Sequence, residues 1–366
     1  MSTNDRSSIA RRFSRRDFLK LGGTAVAGVV LAGCAPAAVA PTAAPVVPTA
    51  VPTAAKIKAN IDTLHLGYDN PNWSHQVADY VAREKGWFKE AGLTNVDCIV
   101  FDDALPPIIG GGVQFTAADT QPVMEANLNQ SVDLWYLGTR RGKEDMIFGL
   151  APGITIESLK GSGKEVSGGK VGSRNELLGK MMVKELGLDP EKDVTWITIG
   201  GGSDTRLAAL MNGSLAGGNI QVRHIKSLTD AGGSVVYRKT RTIAQDGYIT
   251  MGSFIKANAD TVTAFMTCIV KAMQYLQKPE NKDEVIAIME KNGFAFSQEF
   301  KDTYIDGVQR LSADCGFDIP DMDNYWTELA QTGEGAANFP WRKCINLEYL
   351  WKAQEANGLA RRPATI

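Results

Sequence analysis

From Leu64 onward, short β-forming runs alternate with amphipathic helical stretches, and the alternation restarts after Pro152. "LHLGY" (64–68) reads as a strand and about 74–85 as a helix. "VDCIVF" (96–101), "VQFTAAD" (113–119), a helix from Pro122 and "VDLWYLG" (132–138) follow. The second block runs "GKVGS" (169–173), a helix at 175–187, "DVTWITIG" (193–200), a helix at 204–213 and "GGNI" (217–220). Beyond "YITMG" (248–252) the pattern turns helical, at 258–277, at 283–293 and on to Lys352. Strands that alternate with helices form parallel sheets under helical cover. Two such blocks, joined near 145–152 and 240–248, predict an α/β chain of two lobes: 61–148 with 245–366, and 149–244. Ligands of open α/β sheets sit at the carboxyl ends of strands. Two lobes that face each other with those ends make a cleft able to close by hinge motion.

The expected strand ends carry polar residues. "DNPNWSH" follows the first and offers Asn70, Trp73 and His75. The indole of Trp73 suits stacking on a flat ring, and His75 suits donation to a ring nitrogen or carbonyl. Asp103 follows the second strand and Asp119 the third, both as acceptors, with Thr120 placed to cap a helix. Trp135 and Tyr136 alternate on the fourth, so one of them faces the core and the other the helices or the cleft; Tyr136 is taken as the contact. In the second lobe Ser173, Arg174 and Asn175 open a helix, where free N–H groups and the helix dipole suit ligand oxygens. Asn219 and Gln221 follow the last strand of that lobe. Tyr80, Trp87 and Phe88 fall at helical spacing with Val77 and Val81 and read as core.

The N-terminus reads as an address rather than as fold. "SRRDFLK" (14–20) places an Arg pair, Arg15 and Arg16, before an apolar run too short to span a bilayer. An export signal of twin-arginine type has this form. The run ends in "LAGC", which reads as a lipobox with Cys34 as the lipidated residue of the mature chain. Residues 35–60 are rich in Ala, Pro and Thr, and uncharged up to Ala55. Such a composition stays extended and acts as a tether. The folded part is expected outside the cytoplasmic membrane, lipid-anchored to it.

Charge and scarce residues exclude several classes. The chain carries −2 overall, and residues 1–34 hold six Lys/Arg and two Asp/Glu, which leaves −6 on the remainder. A mildly acidic body argues against nucleic acid. Three histidines, no HExxH and no CxxC argue against a metal site, and no cofactor is expected. Cys315 and Cys344 leave a disulfide open. No Ser-His-Asp set and no catalytic carboxylate pair stands out, so a binder rather than an enzyme is expected.

"NPNWSHQVADYVAREKGWFKEAGL" resembles the start of the NMT1/THI5-like family, through Asn70, Asn72, His75, Tyr80, Val81, Ala82, Gly86, Trp87 and Phe88. "GSRNELLGKMMVKELGL" and "LAALMNGSLAGGNIQ" are similar to that family's second lobe, and the resemblance spans about 62–290. It implies the two-lobed type II periplasmic-binding-protein fold, related to the sulfonate, taurine and nitrate binding proteins of ABC importers. It also implies delivery of a small ligand to permease and ATPase subunits, and, in the branch with this N-terminal pattern, riboflavin or a thiamine pyrimidine as ligand. Two departures stand out: "GGNI" lacks the acidic residue frequent in the family, and the cysteine-rich motif of the THI5-type enzymes is absent. An alkanesulfonate, nitrate or similar anion is the alternative ligand, and requires Arg174 or Arg140 aimed into a cleft with few aromatics. A tethered exported enzyme is the second alternative.

Overall fold

In the first strand, Leu64 and Leu66 are buried while Thr63 and His65, which alternate with them, are half-exposed. This period-two pattern holds at the start of the strand and gives way to full burial at Gly67 and Tyr68, where both faces are covered. The structure, a computed structural model, describes residues 57–68, 73–101, 103–200, 202–336 and 338–366. Cys34, most of the 35–60 tether and Asn70 lie outside the described residues. The tether ends earlier than expected. The Ala59 N–H donates to Ala91 O at 2.8 Å, and Asn60 exchanges hydrogen bonds with Thr261, so both already belong to the folded body.

Strands β1 (Thr63–Tyr68), β2 (Asn95–Val100), β3 (Phe115–Asp119), β4 (Leu134–Thr139) and β10 (Asp246–Met251) form one sheet in the order β2-β1-β3-β10-β4. The first three strands run parallel, and β10 is antiparallel to both of its neighbours. Strands β5 (Lys143–Leu150), β6 (Lys164–Gly169), β7 (Val194–Thr198), β8 (Gly217–Asn219) and β9 (Ser234–Thr242) form the second sheet in the order β7-β6-β8-β5-β9. The chain crosses between sheets at 140–142 and 243–245. The first crossing precedes the expected 148, because β5 pairs antiparallel with β9 along its whole length.

The core of the first lobe centres on the helix Ala259–Leu276, whose Phe265 stacks on Phe115 at 3.9 Å. Phe317, Trp341 and Leu350 join the same cluster, so the C-terminal segment packs on lobe one. The second lobe has its own apolar clusters on the two faces of its sheet. Cys315 and Cys344 are both buried and unpaired. No helix among the described residues is long and apolar enough to cross a membrane.

Candidate functional site

A cavity of about 490 Å³ opens between the lobes, walled by both crossings, by the start of the helix Trp73–Glu84, by lobe two and by the C-terminal segment. Of the residues expected at strand ends, Trp73, Arg174, Asn175, Asn219 and Gln221 line it together.

The others lie elsewhere, each for a local reason. Tyr136 is fully buried, edge-on to Phe317, because its face of β4 turns to the core. Thr120 is also fully buried, and its hydroxyl donates to Ala244 O at 3.3 Å. The N-cap of its helix is Asp119, exposed at the end of β3. Asp103 accepts the Leu105 N–H at 2.9 Å and serves a turn. Ser173 caps the helix Arg174–Glu185, accepting from Glu176 N–H and donating to Lys170 O at 2.6 Å. His75 lies within electrostatic reach of Asp246 rather than on the cavity wall.

Two arginines named for an anion are already committed. Arg140 has no exposed surface; it donates to Asp246 Oδ2 at 2.7 Å and to Ser74 O. Arg174 forks onto both oxygens of Glu144 at 3.1 and 2.6 Å, and its Nε donates to Glu328 at 2.9 Å. Burial pushes the Glu144 carboxyl up, but Arg174 and Arg241 more than offset this and hold it below the usual range.

Among the arginines of the wall, Arg141 shares Asp246 with Arg140, and Arg206, on the helix Gly202–Met211, stands apart. It lines the cavity, is 9% exposed, and its Nε donates to the backbone O of Asn219 at 3.2 Å. No carboxylate pairs with it among the described residues. Asp204, the acidic group among the described residues whose charge bears on it, is bound to Arg223 and His224. Burial therefore lowers the guanidinium's pKa, as expected for a charge taken out of water without a counter-ion. Beside it, the Oδ1 of Asn219 is buried with no hydrogen-bond partner, while its Nδ2 donates to Asn175 O at 2.6 Å. Exposed Lys143 adds a second positive charge to the wall. Arg310 and Arg223, also on the wall, are balanced by Asp145 and Asp204.

Lobe one contributes the apolar side. Trp73 meets Phe300 edge-on at 5.0 Å, and Thr303 and Gly307 continue that wall. Gly307 lets the ring lie close, since a Cβ there would come 3.1 Å from the Trp73 ring, a tight contact. Arg206, Lys143 and Phe300 were missed in the sequence. Arg206 follows "GGGSDT" at a helix start, which was the available signal; nothing in the sequence marks Phe300.

Gly168, near the end of β6, sets how closely the helix Arg174–Glu185 docks. A Cβ at Gly168 would lie 2.6 Å from both Asn175 O and Glu176 Cα. Gly168→Ala must therefore push the helix start, with Arg174 and Asn175, off the strand. We expect a stability loss of about 1–3 kcal/mol, measured as a lower midpoint of chemical denaturation. An unchanged midpoint would show that the helix gives way freely.

The fold is similar to that of several solved structures. The putative periplasmic sulfonate-binding protein SsuA of a sulfonate ABC transporter from Methylobacillus flagellatus KT superposes with TM-score 0.61 at 13% identity, over 81% of this chain and 95% of that one. The periplasmic nitrate-binding protein NrtA from Synechocystis PCC 6803 gives TM-score 0.56 at 13% identity, over 84% and 93%. The alkanesulfonate-binding protein SsuA from Xanthomonas axonopodis pv. citri, bound to MOPS, gives 0.52 at 14% identity, over 78% and 99%. These likenesses give the fold, that of periplasmic binding proteins. No curated protein matches by sequence. The model of the NMT1/THI5 like family matches residues 73–282, more than half of the chain, and the chain belongs to that family.

Proposed function

We propose that the chain is the extracytoplasmic substrate-binding protein of an ABC importer, and that its ligand is a small organic anion with a flat or apolar part. The protein holds the ligand between its lobes and delivers it to permease and ATPase subunits, without chemistry of its own. Cys34 anchors it by lipid to the cell membrane, beyond a twin-arginine-type signal. The observation that carries the ligand class is Arg206, a buried cation on the cleft wall with no carboxylate bound to it among the described residues. A buried charge is costly until it is paired, so an acidic ligand group gains most there. The fold likeness to sulfonate- and nitrate-binding proteins supports the same class. Trp73 and Phe300 favour a ring on the ligand, which keeps riboflavin or a thiamine pyrimidine as the second reading, yet a neutral heterocycle leaves Arg206 unanswered.

The test is calorimetric titration of unfolded and refolded protein, freed of carried-over ligand. The panel is MOPS, benzenesulfonate, benzoate, nitrate, riboflavin and the aminopyrimidine. We expect saturable binding of an organic anion, weakened roughly 10- to 150-fold in Arg206→Ala, the range for a charged hydrogen bond. Tight binding of riboflavin or the aminopyrimidine, unchanged by Arg206→Ala, would replace the anion with the heterocycle.

A further inference from the structure

We propose that the helix Ile319–Thr332 is a strap across the hinge, which holds lobe two against lobe one before any ligand arrives. Its apolar face is anchored in lobe one, where Met322, Tyr325, Trp326 and Leu329 are buried in the large core cluster. Three acidic side chains from this helix and the turn after it reach lobe two instead. Asp321 accepts the Thr242 hydroxyl at 2.6 Å. Glu328, seven residues on and so on the same helix face, takes two guanidinium groups: Arg174 Nε at 2.9 Å and Arg241 Nη2 at 2.8 Å, with Arg241 Nη1 on its other oxygen. Glu334 accepts the backbone N–H of Arg174 at 2.7 Å, a first-turn donor that has no partner within its own helix.

The charge balance is the reason to read these contacts as a device. Within lobe two, Glu144 and Arg241 face each other in the β5–β9 ladder, and Arg174 forks onto Glu144. That leaves two guanidinium groups on one carboxylate, all of them largely out of water. Glu328 completes the set, and it comes from the other lobe. Opening the hinge strips lobe two of that carboxylate and leaves a half-buried surplus positive charge, which is unfavourable. Glu144 and Arg241 also sit within three residues of the two crossings, so the four-membered set lies at the hinge itself, while Arg174 reaches the cavity wall. The strap thus biases the open–closed equilibrium and raises apparent affinity by filling the binding-competent state in advance. The geometry holds for any ligand; only this consequence rests on the capture reading.

The experiment needs no ligand. Small-angle scattering and amide exchange are recorded on the refolded, ligand-free full chain and on Glu328→Gln, with Arg241→Gln as the partner variant from the lobe-two side. Wild type is expected to scatter as the structure described above, with the strap contacts in place. Both variants are expected to show a larger radius of gyration, and the Arg174 amide to exchange on the order of tenfold faster or more, as for a local opening. Faster exchange confined to 319–332 with an unchanged radius of gyration would mean a merely local role and overturn the strap. If Glu328→Gln fails to fold, Arg241→Gln decides by the same two readouts. Failure of every anion to bind would sink the ligand reading and leave these results standing.

Discussion

Replacing Asp246 with alanine is expected to destabilise the protein by about 3–5 kcal/mol, the cost of removing one partner from a buried ion pair. Asp246 lies at the start of β10, where the second crossing re-enters lobe one. Its carboxylate takes Arg140 Nη2 at 2.7 Å and the backbone N–H of Arg141 at 3.1 Å, and Arg141 Nε lies 3.4 Å away. Burial pushes its pKa up, but Arg140 and Arg141 prevail and hold it below the usual carboxylate range. Arg140 has no exposed surface, so alanine at 246 strands its charge in the core. The Arg140→Met, Asp246→Ala double variant removes both charges, and we expect it to recover much of the loss, since apolar replacements of a buried pair are often neutral. The check is the denaturation free energy of the single and double variants. A single-variant loss below about 1 kcal/mol, the ceiling typical of exposed pairs, would mean that water reaches Arg140 and that the pair is not a buried one.

Stability is also expected to fall as pH rises from about 4 to 7, through Asp79. This residue has no exposed surface, and burial raises its carboxyl to about 7. Hydrogen bonds from Tyr68 and Tyr248 and the charge of Arg140 oppose the shift only in part. An acid whose folded pKa is raised binds more protons folded than unfolded across that interval. Protons released on unfolding make stability decline as pH climbs, and the effect is flat below the unfolded value of 3.8 and above 7. At about 1.4 kcal/mol per pKa unit, the whole swing is about 4 kcal/mol. Asp79→Asn cannot ionise and should lose the slope. Denaturation of both proteins at pH 5 and pH 8 gives the test: a gap between them that stays constant with pH would exclude Asp79 as its source.

The α/β alternation was legible because buried strands and helices each bury a face at their own period. β1 and the helix Trp73–Glu84 fall within a residue or two of expectation. β5 and β9 were not legible. β9 is an edge strand whose second half, "RKTRT", is mostly exposed, so it shows no buried alternation. β6 spans 164–169 rather than 169–173, because Gly169 and Gly172 take positive φ and end the extended run. Residues 294–366 showed no family pattern, yet they supply Phe300 and Arg310 to the cleft and Glu328 to the hinge.

By itself the sequence determined the two α/β blocks, the resemblance to the family, and the strand ends and helix starts where a ligand would meet the chain. Those features depend on neighbours a few residues apart. Only the tertiary structure decided which polar residues are already answered. Arg174 and Arg206 look alike in sequence, each near a helix start after a Gly- and Ser-bearing turn. One has Glu144 and Glu328 against it, from 30 and 154 residues away; the other has no carboxylate bound to it among the described residues. Whether a buried charge is satisfied depends on what the fold brings within a few ångströms, and that partner is set by packing rather than by local sequence.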